Sequence, residues 1–210
     1  MAAQPKARDP VRRLGFVVSN IADFDRRLVF AGKNAPSHPM GGKGPHNGYA
    51  IRHALTEQLL AEPADDIFLK TMDSGSKKED ISAIHEALAS SIFAITPPGD
   101  SGTRKGFFDA LLLGSIPVIF RPGTYSNVFP ALRLEDLAVV IPEQEIIDGA
   151  SVVERLRAVS RDEIRKKQVG IARIAHLMQY SLPSQGGETG KEDATAAILR
   201  DLVALRDSSL

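Results

Sequence analysis

The chain has 210 residues, of which 43% are hydrophobic, and its 26 basic and 26 acidic side chains give a formal net charge of +0. This length accommodates one α/β domain with appendages, and the charge balance argues against a general nucleic-acid or membrane-surface binder. The absence of cysteine excludes disulfides and thiolate metal ligands. Residues 1–10 are polar and lack the apolar core of a signal peptide, and no apolar run has the length of a membrane span.

Strand and helix patterns alternate along the chain. Apolar runs predict strands at 14–18, 28–31, 66–70, 92–95, 116–120 and 138–141. Helical spacing predicts helices at 48–61, 78–89, 160–180 and 192–206, and one more that follows Ser101 or Thr103 and ends at Gly114. This alternation predicts a Rossmann-like α/β fold with a mostly parallel sheet flanked by helices.

Local signals refine several of these elements. Asn47 is a candidate cap for the helix at 48–61, and Ser160 with Glu163 forms a capping box. In the helix at 78–89, Ile81, Ile84 and Leu88 are predicted to face inward. The basic segment 161–167 is predicted to be the solvated face of its helix. The Gly- and Pro-rich segment 32–47 is a loop of a length that is usually functional or disordered.

The domain organisation follows from these patterns. We expect a disordered N-terminus at 1–13, one α/β domain at 14–180, a flexible linker at 181–190 and a C-terminal helix at 191–210. No internal repeat interrupts this order. The chain is therefore predicted to hold a single core.

The most informative stretch is 91–120. An apolar strand leads into Pro97-Pro98-Gly99-Asp100, which ends it, and a helix with an apolar stripe then runs to Gly114 before a second buried strand. In such a crossover the helix connects two strands that run parallel in one sheet. A loop at the carboxyl end of a strand that opens onto a helix N-terminus is where α/β folds bind anionic ligands.

Two blocks of residues carry a family resemblance. The motif P-P-G-D-S-x-T-R-K-x-x-F-D-A at 97–110, followed by G-x-I-P-V-I-F at 114–120, resembles the donor-binding signature of exostosin-like (family 47) glycosyltransferases. The continuation R-P-G-T-Y at 121–125 is similar to the plant-type branch, which includes xyloglucan galactosyltransferases. L-V-F-A-G at 28–32 and G-x-x-I-R-x-x-L at 48–55 are similar to the family's F-x-G strand and I-R helix.

The resemblance implies a fold and an activity. The fold is the C-terminal, donor-binding half of a GT-B glycosyltransferase, and the activity is transfer of a sugar from a UDP-sugar to a glycan acceptor. The family resemblance implies inversion at the sugar, with no metal and no cofactor. It also implies residence in the Golgi lumen, although these residues include no recognisable anchor.

The resemblance also implies the residues that bind the donor: Arg52, Ser101, Thr103, Arg104, Lys105, Asp109 and Tyr125. A diphosphate leaving group needs positive charge and N–H donors, which a helix N-terminus and an arginine supply. Phosphate contact is expected at 101–105, with the choice between Arg104 and Lys105 open, and from Arg52. Asp109 is expected to bind the ribose, and Tyr125 to border the sugar or the base.

Each of these residues also has a simpler structural interpretation. Arg104 and Lys105 could be a solvated helix start, Asp109 a structural ion pair and Tyr125 loop packing. His53, His85 and His176 fall on helices and are predicted to be surface or rim residues. The Asp23-Phe24-Asp25 triplet and the pair His38 and His46 do not complete a metal site.

The chain departs from its relatives in two respects. Family members often have cysteine where this chain has Ala94 and Ser115, which are predicted to be packing positions. The matched blocks belong to the donor-binding half, and the acceptor-binding half with its catalytic base is not among them. We therefore expect a fragment, a chain that works with a second transferase domain or chain, or a non-catalytic nucleotide-sugar-binding module. A different nucleotide-using α/β enzyme is a further hypothesis.

Overall fold

The computed structural model describes residues 28–32, 48–62, 67–71, 78–99, 103–125, 133–180 and 193–208. Within these ranges the strands are β1 Leu28–Gly32, β2 Ile67–Thr71, β3 Phe93–Ile95, β4 Ile116–Ile119 and β5 Val139–Val140. The helices are α1 Tyr49–Leu60, α2 Lys78–Ser90, α3 Lys105–Leu113, α4 Glu143–Ile147, α5 Val152–Arg157, α6 Arg161–Ile174 and α7 Ala194–Ser208. Short 3₁₀ turns span Pro122–Thr124, Leu134–Asp136 and Ala175–Met178. The predicted strand at 14–18 and linker at 181–190 lie outside the described residues.

The five strands form one parallel sheet in the order β2-β1-β3-β4-β5. Leu28 of β1 is in register with Ile67 of β2 on one side and with Phe93 of β3 on the other. The predicted fold class is thus confirmed: the protein is α/β, with a parallel sheet flanked by helices, and is consistent with one half of a GT-B glycosyltransferase.

The strand order contains a reversal of direction. From β1 the chain moves outward to β2 and then returns across β1 to β3. Because parallel crossovers are right-handed, opposite directions of travel place α1 on one face of the sheet and α2 and α3 on the other. The contacts agree, since α2 packs on α3 while α1 packs on α4 and α5. The switch point between β1 and β3 is where folds of this type bind ligands, at the carboxyl ends of the strands.

The core confirms the apolar stripes read from the sequence. Ile51, Leu55 and Leu59 of α1 are all buried, as are Phe107 and Leu111 of α3. Strands β3 and β4 are buried along their whole length, as expected for central strands of a parallel sheet. The signature at 91–120 therefore forms the central strand–helix–strand unit of the domain.

Helix ends were predicted with mixed success. Gly114 ends α3 with a left-handed φ of 88°, and the Ser160 side chain accepts a hydrogen bond from the Glu163 amide, both as predicted. The start of α1 differs, because Gly48 is its N-cap with φ 60°, and Asn47 is outside the described residues. The start of α3 also differs, because Arg104 occupies the N-cap position, and its own side chain makes no capping hydrogen bond.

Three further features differ from the sequence analysis. Helix α5 was not predicted; the Ser151 side chain caps it by accepting a hydrogen bond from Glu154. Lys167 is buried rather than solvated, because its ammonium donates hydrogen bonds to the carbonyls of Glu135 and Ala138. Ile81 is 44% exposed, because it lies at the edge of a cleft rather than in the core.

The two positions that replace family cysteines are packing sites, as predicted. Ala94 is buried in a small cluster with Ala87, Leu88 and Ala110, which joins β3 to α2 and α3. The Ser115 hydroxyl is fully buried and donates to the carbonyl of Leu88 or to that of Ser91, which lies 2.9 Å away. Small side chains at these positions let the two helices approach the strand closely.

Candidate functional site

A cleft of about 360 Å³ opens at the carboxyl end of β3, between α2 and α3. One wall is the apolar face of α2, and the other is the first turn of α3. The floor is β3 with the loop that follows it, and Arg52 of α1 reaches the cleft from the other side of the switch point. The cleft thus lies where a doubly wound sheet binds its ligand.

The floor of the cleft is a short loop of fixed shape. The Thr96 amide and hydroxyl both donate to the carbonyl of Val118, at 2.9 and 2.8 Å, which extends the pairing of β3 with β4 beyond the strand. Pro97, Pro98 and Gly99 follow, and all three are buried. The prolines restrict the backbone. Because the loop is buried, its carbonyls need hydrogen-bond donors from other parts of the chain.

Arg52 supplies donors to this loop. Its Nε donates to the carbonyl of Pro98 at 2.9 Å and its Nη2 to the carbonyl of Pro97 at 3.3 Å. The residue is only 6% exposed, although it contributes to the lining of the cleft. The Arg52 guanidinium therefore joins the start of α1 to the loop that follows β3.

Arg104 lies across the loop at the N-terminus of α3. Its Nη1 is 1.6 Å from the point that a Cβ at Gly99 would occupy, so the guanidinium fills the space that the missing side chain leaves. The helix N-terminus and the Arg104 side chain thus place N–H dipoles and a full positive charge at the mouth of the cleft.

Lys105 and Asp109 stand one turn apart on α3 and form an ion pair. The Lys105 side chain is 79% exposed, whereas that of Asp109 is 22% exposed and lines the cleft. Without a ligand the pair matches the structural interpretation of Asp109. Because an exposed pair of this kind contributes little stability, the Asp109 carboxylate is available to other donors.

The α2 wall contains residues that the sequence analysis did not assign to a site. Ile81, Ile84 and Leu88 make it apolar, and His85 stands among them on the same helix face. His85 was predicted from its position on the helix to be a surface or rim residue. The only sequence signal was the i, i+3, i+4, i+7 spacing of these residues, which indicates a shared face but not what it borders.

The seven predicted site residues separate into three groups. Arg52, Arg104, Lys105 and Asp109 meet at the cleft. Ser101 lies outside the described residues, and Thr103 is exposed immediately before the helix. Tyr125 is buried in the core, stacked on Phe107 with ring centroids 4.2 Å apart, so its position supports packing and not the predicted contact with a sugar or base.

Tyr125 nevertheless contacts the site residue Arg104 from within the core. Burial raises the pKa of its phenol, while a hydrogen bond with the Arg104 main chain and the charge of Arg104 act in the opposite direction. The Tyr125 hydroxyl therefore touches the backbone from which the Arg104 side chain extends. Its ring also packs on Phe107, in the first turn of α3.

Two features are absent from the described residues. No group of three or more His, Asp or Glu side chains there is arranged to hold a metal ion. Among the helices that the structure describes, none has the length and apolarity to cross a membrane.

The fold and the cleft define a class: a doubly wound α/β domain with a cationic helix N-terminus at its switch point, an arrangement that in general suits anionic ligands. Residues 21–156 match the profile of the exostosin GT47 domain. The chain belongs to the exostosin GT47 family.

Relatives of known name support this assignment. The chain is 30% identical to the probable xyloglucan galactosyltransferase GT13 of Arabidopsis thaliana, over 90% of this chain and 39% of that protein. It is 34% identical to the xyloglucan galactosyltransferase XLT2 of the same plant, over 82% of this chain and 33% of that protein. Identity reaches 43% with the xyloglucan-specific galacturonosyltransferase 1, over 50% of this chain and 15% of that protein. The chain therefore spans less than half the length of these relatives.

Proposed function

We propose that this chain is the donor-binding part of a glycosyltransferase that transfers a sugar from a UDP-sugar to a glycan hydroxyl. The observation that carries the proposal is the cleft at the switch point, where Arg104 and Lys105 at the N-terminus of α3 stand above the carboxyl end of β3. The names of the relatives favour a plant cell-wall glycan such as xyloglucan as the acceptor.

The chemistry of the reaction explains why this site suits a nucleotide-sugar. The diphosphate becomes the leaving group, so negative charge grows on it as the sugar bond breaks. Donors that already point at the diphosphate stabilise that charge without reorganising. Arg104 and the first amides of α3 supply such donors, and Lys105 adds a second cation at the mouth. Charge placed in this way is the basis for the proposal that the reaction needs no metal.

We assign the remaining parts of the donor to the two walls of the cleft. Asp109 lies one turn into α3 and is placed to accept hydrogen bonds from ribose hydroxyls, which would then replace Lys105 as its partner. The apolar face of α2, with His85 among Ile81 and Ile84, is suited to the flat face of a base. Inversion at the sugar and residence in the Golgi lumen are further proposals that rest on the family.

Calorimetric titration of the whole chain with UDP tests the proposal, with ADP and GDP as competing nucleotides. We expect UDP to bind in the micromolar to sub-millimolar range. Arg104→Ala should weaken binding by about 10-fold to 100-fold, because a hydrogen bond to a charged group contributes about 1.5–3 kcal/mol. Arg173→Ala is the matched control, because Arg173 is exposed on α6 and does not line the cleft.

The outcomes separate the competing hypotheses. UDP binding lost in Arg104→Ala and kept in Arg173→Ala supports a donor site. Tighter binding of ADP or GDP would favour a different nucleotide-using enzyme. UDP binding without sugar transfer, in a preparation that also contains an acceptor-binding domain, would favour a non-catalytic binding module. Failure to bind any nucleotide would contradict the proposal.

A further inference from the structure

We propose that Arg52 is a positioning residue, which holds the loop Pro97-Pro98-Gly99 in the shape that seats Arg104 over the cleft. The inference rests on the proposed function in so far as the cleft is taken to bind a nucleotide. It assigns to Arg52 a role different from direct phosphate contact, which is what the family resemblance implied.

Arg52 uses two of its guanidinium nitrogens to hydrogen-bond to the loop. Its Nε and Nη2 donate to the carbonyls of Pro98 and Pro97, 46 and 45 residues away in sequence. Arginine suits this role because its donors form a rigid fork that can reach two neighbouring acceptors together. Lysine has the charge but lacks the fork.

The backbone at the start of α1 also approaches the same loop closely. Gly48, the N-cap of α1, lies so near that a Cβ there would be 2.4 Å from the carbonyl oxygen of Pro98. The loop is thus held against α1 by a backbone contact at Gly48 and by the side chain of Arg52. Substitution of Arg52 would therefore remove the hydrogen bonds that join this α1 side chain to the loop.

The same loop also contacts Arg104. The guanidinium of Arg104 occupies the space where a side chain at Gly99 would lie, with its Cζ 2.4 Å from the position of that Cβ. Gly99 directly follows the two carbonyls that Arg52 binds. The position of the loop therefore determines the surface on which the Arg104 side chain rests.

A set of variants of the whole chain, titrated with UDP, tests this chain of contacts. Arg52→Lys keeps the charge but loses the fork, so we expect it to weaken UDP binding about tenfold. Gly99→Ala keeps both arginine residues in the sequence, but the added Cβ displaces the guanidinium of Arg104. We therefore expect it to weaken UDP binding as much as Arg104→Ala does. Gly123→Ala is the control, because a Cβ there meets nothing within 4 Å.

The double variant distinguishes positioning from direct contact. If Arg52 acts through Arg104, then Arg52→Lys in an Arg104→Ala background weakens UDP binding by less than about twofold. If Arg52 binds the phosphates itself, the two factors multiply, and that result would overturn the proposal. Gly99→Ala that binds UDP like the unaltered chain would also overturn it.

A measurement without nucleotide keeps this inference separate from the proposed function. Amide hydrogen exchange should be faster in Arg52→Lys at the start of α3, where the Phe107 amide donates to the Arg104 carbonyl, and unchanged in α6. Equal exchange at the start of α3 would contradict the positioning role even if UDP binds. Conversely, a chain that binds no UDP but shows the faster exchange would contradict only the proposed function.

Discussion

Arg104 is the residue on which three parts of the protein converge. Its guanidinium rests on Gly99 at the end of β3, its backbone meets the hydroxyl of Tyr125, and it forms the N-cap of α3. A long side chain loses rotamer freedom when it binds a ligand, and a prepared seat reduces that cost. The structure therefore favours Arg104 over the 79% exposed Lys105 as the principal cation of the site.

Burial of Tyr125 makes the free energy of unfolding depend on pH in the alkaline range. Burial raises its pKa above 10.0, so the folded chain holds the phenol proton more tightly than the unfolded chain does. The resulting stability is present below the unfolded pKa and is lost as the pH rises through the folded pKa. We expect the free energy of unfolding to fall more steeply above about pH 10 in the unaltered chain than in Tyr125→Phe.

Urea denaturation at about pH 8 and about pH 10.5 measures this difference. Tyr180→Phe serves as the control, because Tyr180 is exposed, and it should lose stability as steeply as the unaltered chain. Equal slopes for Tyr125→Phe and the unaltered chain would show that the phenol is not held as the structure indicates.

At the scale of elements, hydrogen bonds between residues distant in sequence hold helices α1, α5 and α6 to the segments beside them. The Gln58 side chain on α1 donates to the carbonyl of Ala150 at 3.0 Å and accepts from the amide of Val152 at 2.9 Å, which fixes the start of α5. Lys167 on α6 donates to the carbonyl of Glu135 in the turn Leu134–Asp136 and to that of Ala138 just after it. At Gly170 a Cβ would be 2.6 Å from the carbonyl oxygen of Asp136, so α6 lies directly on that turn.

Lys167 should therefore contribute to stability more than its neighbour Lys166. Lys167→Met keeps the buried aliphatic chain but leaves the carbonyls of Glu135 and Ala138 without this donor. We expect a loss of about 1.5–3 kcal/mol in the free energy of unfolding. Lys166→Met is the matched control: its side chain is 75% exposed, and it should change stability by less than about 0.5 kcal/mol. Urea denaturation that gives equal small losses for both would refute the role of Lys167.

At the scale of the whole molecule, the signature at 91–120 could be predicted from the sequence because its information is local. Apolar runs of strand length, a Pro-Pro-Gly break and a terminal glycine define β3, α3 and β4 within a few residues of their observed bounds. The same signature predicted that Arg104, Lys105 and Asp109 lie close together at one helix. In the structure all three line the cleft.

The features that were missed depend on tertiary contacts. The hydrogen bonds of Arg52 reach across 45 and 46 residues, and those of Lys167 across 32 and 29. Spacing along the chain carries no signal for such pairs. Likewise, the α2 stripe shows that Ile81 and His85 share a face, but only the packing of α2 beside α3 makes that face the wall of a cleft.

The central claim is that the cleft between α2 and α3 binds the diphosphate of a nucleotide. A crystal structure of the whole chain with UDP tests it most directly. We expect the diphosphate within hydrogen-bonding distance of the Arg104 guanidinium and the first amides of α3, the ribose at Asp109, and Arg52 still bonded to the Pro97 and Pro98 carbonyls. UDP bound elsewhere on the molecule, or an empty cleft at saturating UDP, would contradict the claim.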